Sequence, residues 1–235
     1  QLRRQFTSKI AQIVILKKKW TPRPLTDYQK WLGELPNKHL GAGPHFVSNK
    51  LAETNNYTPE EESAIEAYTA HHDSEDPDDD VPDKKDWHSY QINSALINNK
   101  PIPSHLKDTE AGLESAIRNN PIRHNVHVFS GVSFNPMDHV DENGRMQSPA
   151  YMSTTHDKYI AAEYAEPLLG QPVSHIMEIH LNAGDPATHV EHVTLKPDEH
   201  ETIINKGVTL RHLKTETFND GPGYRVHVHH FAVER

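Results

Sequence analysis

The sequence predicts an α+β fold with helices first and strands after them. Three observations carry that prediction. Apolar residues recur at helical spacing between residues 57 and 119, they fall into short alternating segments from residue 125 onward, and a single amphipathic stretch interrupts those segments. A chain of 235 residues can bury one sizeable core. We assign residues 1–50 as a leader or linker and residues 51–235 as the main domain, divided into a helical part (51–124) and a strand-rich core (125–235).

Taken in order, residues 1–50 combine the basic run Lys17, Lys18 and Lys19 with Pro22, Pro24, Gly41, Gly43 and Pro44, and show no sustained periodicity. One or two short helices are expected there. The chain begins at Gln1, so it is expected to be processed or cut from a longer precursor. The apolar stretch Ile10 to Leu16 is too short for a membrane span and lacks a signal-peptide cleavage pattern, so a soluble protein is expected. Thr58 reads as an N-cap, with Pro59 at the first helical position and Glu60, Glu61 and Glu62 against the positive end of the dipole. The acidic run Asp73 to Asp80 repels itself and contains Pro77, so it reads as a solvated loop without the spacing of a calcium loop.

Trp87 to Asn98 and Asp108 to Asn119 read as helices separated by the turn-rich Lys100 to Pro103. Strands are expected at Val126 to Phe129, Ile176 to Leu181, Thr188 to Val190, Glu201 to Ile204, Thr209 to Leu213 and Arg225 to Val233. The interrupting helix runs from Asp157, its N-cap, to Ala165, with Ile160, Ala161 and Tyr164 as an apolar stripe.

A net charge of −9 disfavours nonspecific attraction to nucleic acid or an anionic membrane, since both need clustered cations. A small ligand or a basic protein target fits that charge better. The absence of cysteine excludes disulfides, thiolate metal sites and thiol nucleophiles. The 19 histidines invite a metal reading, sharpened by His189-x-x-His192 and by His227 and His229 on one face of the last strand. No His-Glu-x-x-His helix accompanies them, so hydrogen-bonded or solvated histidines are expected and no metal is assigned.

Three segments of the strand-rich half carry chemistry together: Val128-Phe129-Ser130-Gly131-Val132, Tyr151-Met152-Ser153-Thr154-Thr155 and Glu199-His200-Glu201. Two carboxylates at i and i+2 on an extended segment share a face and can converge on one ligand. One can stabilise a sugar cation while the other, its pKa pushed away by the like charge, deprotonates a nucleophile.

In this order the three segments resemble the motifs of the arginine-directed branch of the ADP-ribosyltransferases, found in bacterial exotoxins and tailed phages. The resemblance covers roughly residues 57–233. It implies two packed, mostly antiparallel sheets with NAD⁺ in the cleft between them, and no metal or further cofactor. It assigns Glu201 as the catalytic carboxylate that stabilises the oxocarbenium-like transition state, Glu199 as the residue that positions and activates the acceptor, and Ser153 as the hydroxyl that orients Glu201. His127, Phe129, Ser130, Gly131, Phe134, Tyr151, Thr154 and Thr155 are the implied NAD contacts. Glu191 to Asp198 would touch the protein target, and Pro167 to Ser174 would border the NAD site.

The sequence departs from the family pattern at Ser130, which stands where the first motif carries a phosphate-binding arginine. His127, Arg123 or a nest of backbone amides around Gly131 are candidate replacements. The implied partners are NAD⁺ and a host protein with an exposed arginine, acting in a bacterial cytoplasm, with a nucleic-acid acceptor disfavoured by charge. An NAD glycohydrolase and a binding module without turnover, for NAD or for a metal, are the alternatives.

Overall fold

The structure is a computed structural model that describes residues 24–70, 85, 87–165, 172–194, 196–220 and 223–235. The basic run Lys17 to Lys19 and the acidic run Asp73 to Asp80 lie outside the described residues, as do residues 167–171 of the segment expected to border the NAD site.

Helix α1 (Asp27–Leu32) starts at a capping box. Thr26 accepts from the Gln29 backbone amide and the Gln29 side chain accepts from Thr26, which satisfies two of the orphan donors of a helix start. Helix α2 (Pro44–Ala52) follows. Helix α3 (Pro59–Thr69) repeats the device with Thr58 and Glu61, at the N-cap read from sequence. Helices α4 (His88–Ile97) and α5 (Lys107–Asn119) complete the first half.

Strands β1 (Val126–Val132), β2 (Arg145–Gln147) and β3 (Met152–Thr155) come next, then α6 (Lys158–Tyr164), capped by Asp157. The chain continues through β4 (Val173–Leu181), β5 (Ala187–His189), β6 (Glu201–Ile204), β7 (Thr209–Asn219) and β8 (Arg225–Val233).

The strands order as β2-β7-β8-β4-β1-β3-β6-β5, and only the β4–β8 pair is parallel. Helices followed by mostly antiparallel strands match the expected architecture, and the two expected sheets are joined edge to edge into one mixed sheet. That join is narrow: β1 and β3 pair at a single position, Phe129 opposite Thr155. The cleft opens at this junction.

Three apolar clusters hold the assembly. Val126, Val128, Ile179, Leu181, Ile204 and Phe231 pack with Val47 and Leu51 of α2. Ile65 and Tyr68 of α3, Ile92 of α4 and Leu113 and Ile117 of α5 cover Tyr151 and Ile203. Tyr28 and Trp31 of α1, with Ala161 of α6, cover Phe129, Ile176 and Val228. Trp31 meets Phe129 edge-on at 5.9 Å, and the Lys158 ammonium sits 4.2 Å from the Trp31 ring centroid. Each large side chain fully removed from water contributes roughly 1.5–3 kcal/mol, so α1 is bound firmly to the strand-rich core. Among the described residues no helix is long and apolar enough to cross a membrane.

Candidate active site

Where the two halves of the sheet meet, a cavity of about 260 Å³ is lined by Phe129, Ser130 and Gly131 of β1 and Ser153, Thr154 and Thr155 of β3. Ile160, Ala161 and Tyr164 of α6 form one wall, and Glu199 and Glu201 another. The three segments singled out in the sequence thus meet in one cleft.

Glu201 opens β6 opposite Thr155 and is only 8% exposed. Burial pushes its carboxyl up to about 7, the nearby charge of Glu199 adds to the rise, and a hydrogen bond with Ser153 draws it partly back. Ser153 also hydrogen-bonds Tyr68, whose hydroxyl accepts from the Asn93 amide at 2.9 Å. Each donor can be used once along this chain, from Asn93 to Tyr68 to Ser153 to Glu201. Burial and the Glu201 charge hold the Tyr68 hydroxyl well above its usual range, so it stays protonated and able to donate. Sequence reasoning missed Tyr68 and Asn93 because they come from α3 and α4, far from the motifs, and read there as ordinary helix residues.

The expectation that Glu199 and Glu201 share an extended segment is corrected by the structure. Pro197 opens a 3₁₀ turn that ends at Glu199, and His200 adopts a left-handed conformation (φ 52°, ψ 45°), so only Glu201 belongs to the strand. Both carboxylates still line the cavity, because the turn brings Glu199 back over it. The Tyr164 hydroxyl donates to Glu199 at 2.9 Å, and Lys196 lies 3.9 Å away. Sequence reasoning did not assign Tyr164 a part in the site.

In the first motif, Ser130 donates to the Ser153 carbonyl at 3.1 Å and so ties the first and second motifs together. Phe129 is fully buried, and its outer face belongs to the α1 cluster. Gly131 is required by helix packing: a Cβ there would stand 2.2 Å from the Ala161 carbonyl and 2.4 Å from the Ala165 nitrogen. The close approach expected at Gly131 is therefore made by α6. Thr154 donates to the Thr202 carbonyl at 2.6 Å, and Thr155 accepts from the Asp157 amide at 3.0 Å, which sets the start of α6.

Other expected contacts lie elsewhere. His127 faces Glu178, 2.7 Å away, at the far end of β1. Phe134 is exposed beside His139 and Tyr151 is buried against Tyr68, and neither lines the cavity. Arg123 is exposed before β1, and among the described residues lining the cavity none is basic. Of the histidines in the metal reading, His192 stacks on Tyr57 at 5.5 Å, while His227 and His229 stack with His175.

The family model of ADP-ribosyltransferase exoenzymes matches residues 85–221, more than half of the chain. This protein belongs to the ADP-ribosyltransferase exoenzyme family, transferases whose substrate is NAD. Among solved structures it is similar to an ADP-ribosyltransferase from Clostridium botulinum, with a TM-score of 0.57 at 13% identity, covering 82% of this chain and 94% of that one. An ADP-ribosyltransferase toxin from Paenibacillus larvae gives 0.57 at 14% identity, with 88% and 96% covered. A protein from S. aureus, solved with NAD, gives 0.56 at 16% identity, with 82% and 94% covered. At these identities the likeness concerns the fold. No curated protein matches the chain in sequence.

Proposed function

We propose that this protein transfers ADP-ribose from NAD⁺ to an arginine side chain of a protein target, with Glu201 as catalytic carboxylate and Glu199 as acceptor base. The observation that carries this reading is the pair of carboxylates in one cleft, one buried and tied to Ser153, the other at the mouth and held by Tyr164.

The bond that breaks joins the ribose anomeric carbon to the nicotinamide nitrogen. Nicotinamide leaves as a neutral molecule, and the positive charge it gives up moves to the ribose. A carboxylate out of water stabilises that cation far more strongly than an exposed one, because little solvent screens it. Glu201 meets this need once it is ionised. The Tyr68–Ser153 hydrogen bonds hold it in one orientation, so little reorganisation accompanies the reaction.

A guanidinium cannot attack until it loses a proton, and it binds carboxylates through paired N–H donors. Glu199, whose side chain is 27% exposed, can bind the cation and accept that proton as the new C–N bond forms. Glutamine at this position would bind no cation and take no proton. The acidic balance of the chain favours a basic protein region as target over nucleic acid, and we place the reaction in a bacterial cytoplasm.

The test offers NAD⁺ together with a small guanidino compound or bacterial lysate and follows both nicotinamide release and ADP-ribosyl product. The wild type is expected to modify guanidino groups. Glu199→Gln is expected to lose transfer while keeping slow cleavage of NAD⁺ by water. Nicotinamide release that ignores every acceptor would make the protein an NAD glycohydrolase instead.

A further inference from the structure

On the side of β6 turned away from Glu201, three segments bring four metal-ligating side chains together. His156 follows β3, His189 ends β5, Glu191 lies two residues beyond it, and His200 precedes Glu201. Ligand atoms of His156, Glu191 and His200 lie within 4.8 Å of one another. One Glu191 oxygen is 2.8 Å from His200 Nδ1 and 3.5 Å from His189 Nε2. The His156 ring centroid stands 5.2 Å from that of His189 and 5.3 Å from that of His200. Ser48 of α2 bridges the group, with its hydroxyl 2.9 Å from His156 Nε2 and 3.1 Å from His200 Nδ1.

The tautomers give this cluster its chemical meaning. His156 Nε2 can donate to the Pro44 carbonyl at 3.1 Å, which leaves Nδ1 as a bare lone pair in a ring only 4% exposed. His189 Nδ1 engages the Thr202 hydroxyl at 3.1 Å, which leaves Nε2 facing Glu191 in a ring 1% exposed. His156 Nδ1 has no hydrogen-bond partner, and His189 Nε2 has only the Glu191 carboxylate, 3.5 Å away. Leaving such a group unsatisfied costs roughly 1–3 kcal/mol. A ring held through one N–H by a carbonyl or hydroxyl, with the other nitrogen open, is how proteins present imidazole to a metal.

We infer that His156, Glu191 and His200, completed by His189, form a binding site for a divalent transition-metal ion of the zinc class. Three imidazoles and one carboxylate are a donor set that suits such an ion. Donors about 2 Å from a tetrahedral ion stand roughly 3.3 Å apart, against the 4.8 Å within which the ligand atoms of His156, Glu191 and His200 now lie. The ion plays no part in breaking the glycosidic bond. It clamps the end of β3 to the left-handed turn at His200, and so fixes the turn that carries Glu199 and Glu201.

The test strips the full chain with a chelator and titrates it with Zn²⁺ by calorimetry, and with Co²⁺ by visible absorption. Saturable binding of one ion per chain with a raised melting temperature is expected. His156→Gln and His200→Asn should each weaken affinity at least about tenfold while keeping the wild-type circular dichroism, and asparagine tolerates the backbone at position 200. His180→Gln, in the separate group of His127, Glu178 and His180, should bind as the wild type does. No saturable binding, or binding that survives in both His156→Gln and His200→Asn, overturns the inference, as does loss of binding in His180→Gln alone.

Discussion

Ser153 hydrogen-bonds Glu201 diagonally across the β3–β6 pair, so the second and third motifs meet through one hydroxyl and one carboxylate. The bond supports the ionised form of a group that burial pushes toward neutrality. Ser153→Ala should therefore raise the pKa that governs activity and lower kcat. A hydrogen bond to a charged group contributes about 2 kcal/mol, which corresponds to a roughly thirtyfold loss of rate. A serine that merely packs would change kcat without moving the pH profile.

The pKa of Glu201 sets the acid limb of activity. With its carboxyl near 7 in the free protein, kcat/KM should rise with pH through about 7 and level off above it. Bound NAD⁺ brings a cationic ring beside the carboxylate, so the limb for kcat should fall at lower pH. Parallel profiles of kcat and kcat/KM across this range, with no inflection near 7, would contradict the assignment.

The same shift has a consequence for stability. The folded pKa lies above the ordinary value of 4.5, so the native state binds the Glu201 proton more tightly than the unfolded chain does. Stability is lost as pH rises from about 4.5 to about 7, and the full penalty, roughly 3 kcal/mol, applies above that. Glu201→Gln removes it. Its melting temperature should exceed that of the wild type at pH 8, and the advantage should vanish near pH 4.5. An advantage of equal size at both pH values would mean that ionisation is not its cause.

Gly131 is constrained by α6. A methyl group at this position meets backbone atoms of Ala161 and Ala165, which cannot swing aside as a side-chain tip does. Gly131→Ala should cost about 3 kcal/mol or more and displace the helix that carries Tyr164. Chemical denaturation gives the energy, and a weakened Tyr164–Glu199 contact should show as impaired transfer.

Trp31 anchors the segment before residue 50 to the site. It packs on Phe129 and under Lys158, whose ammonium donates to the Trp31 carbonyl at 2.7 Å. Trp31→Ala should cost about 3–5 kcal/mol. A loss below 1 kcal/mol in urea denaturation would mean that α1 is dispensable to the core.

Much of this architecture was legible in the sequence because the elements follow local rules. β6 and β8 end where their apolar residues give way to polar ones, and the helices starting after Thr58 and Asp157 announce themselves by their caps. β2 escaped because three residues between turns give no periodicity. α1 was foreseen only within an expectation of one or two short helices, although Thr26 and Gln29 have capping-box spacing. The bend between Glu199 and Glu201 was hidden because a left-handed histidine has no strong sequence signal. The cluster of His156, His189, Glu191 and His200 joins three segments, and only folding places them together.

The central claim is that Glu201 breaks the bond between ribose and nicotinamide, and the most direct measurement is nicotinamide release from NAD⁺ by the wild type and by Glu201→Gln. The account predicts release by the wild type and a fall of at least about a hundredfold in a variant that still folds and binds NAD⁺. Release by Glu201→Gln at the wild-type rate would contradict it.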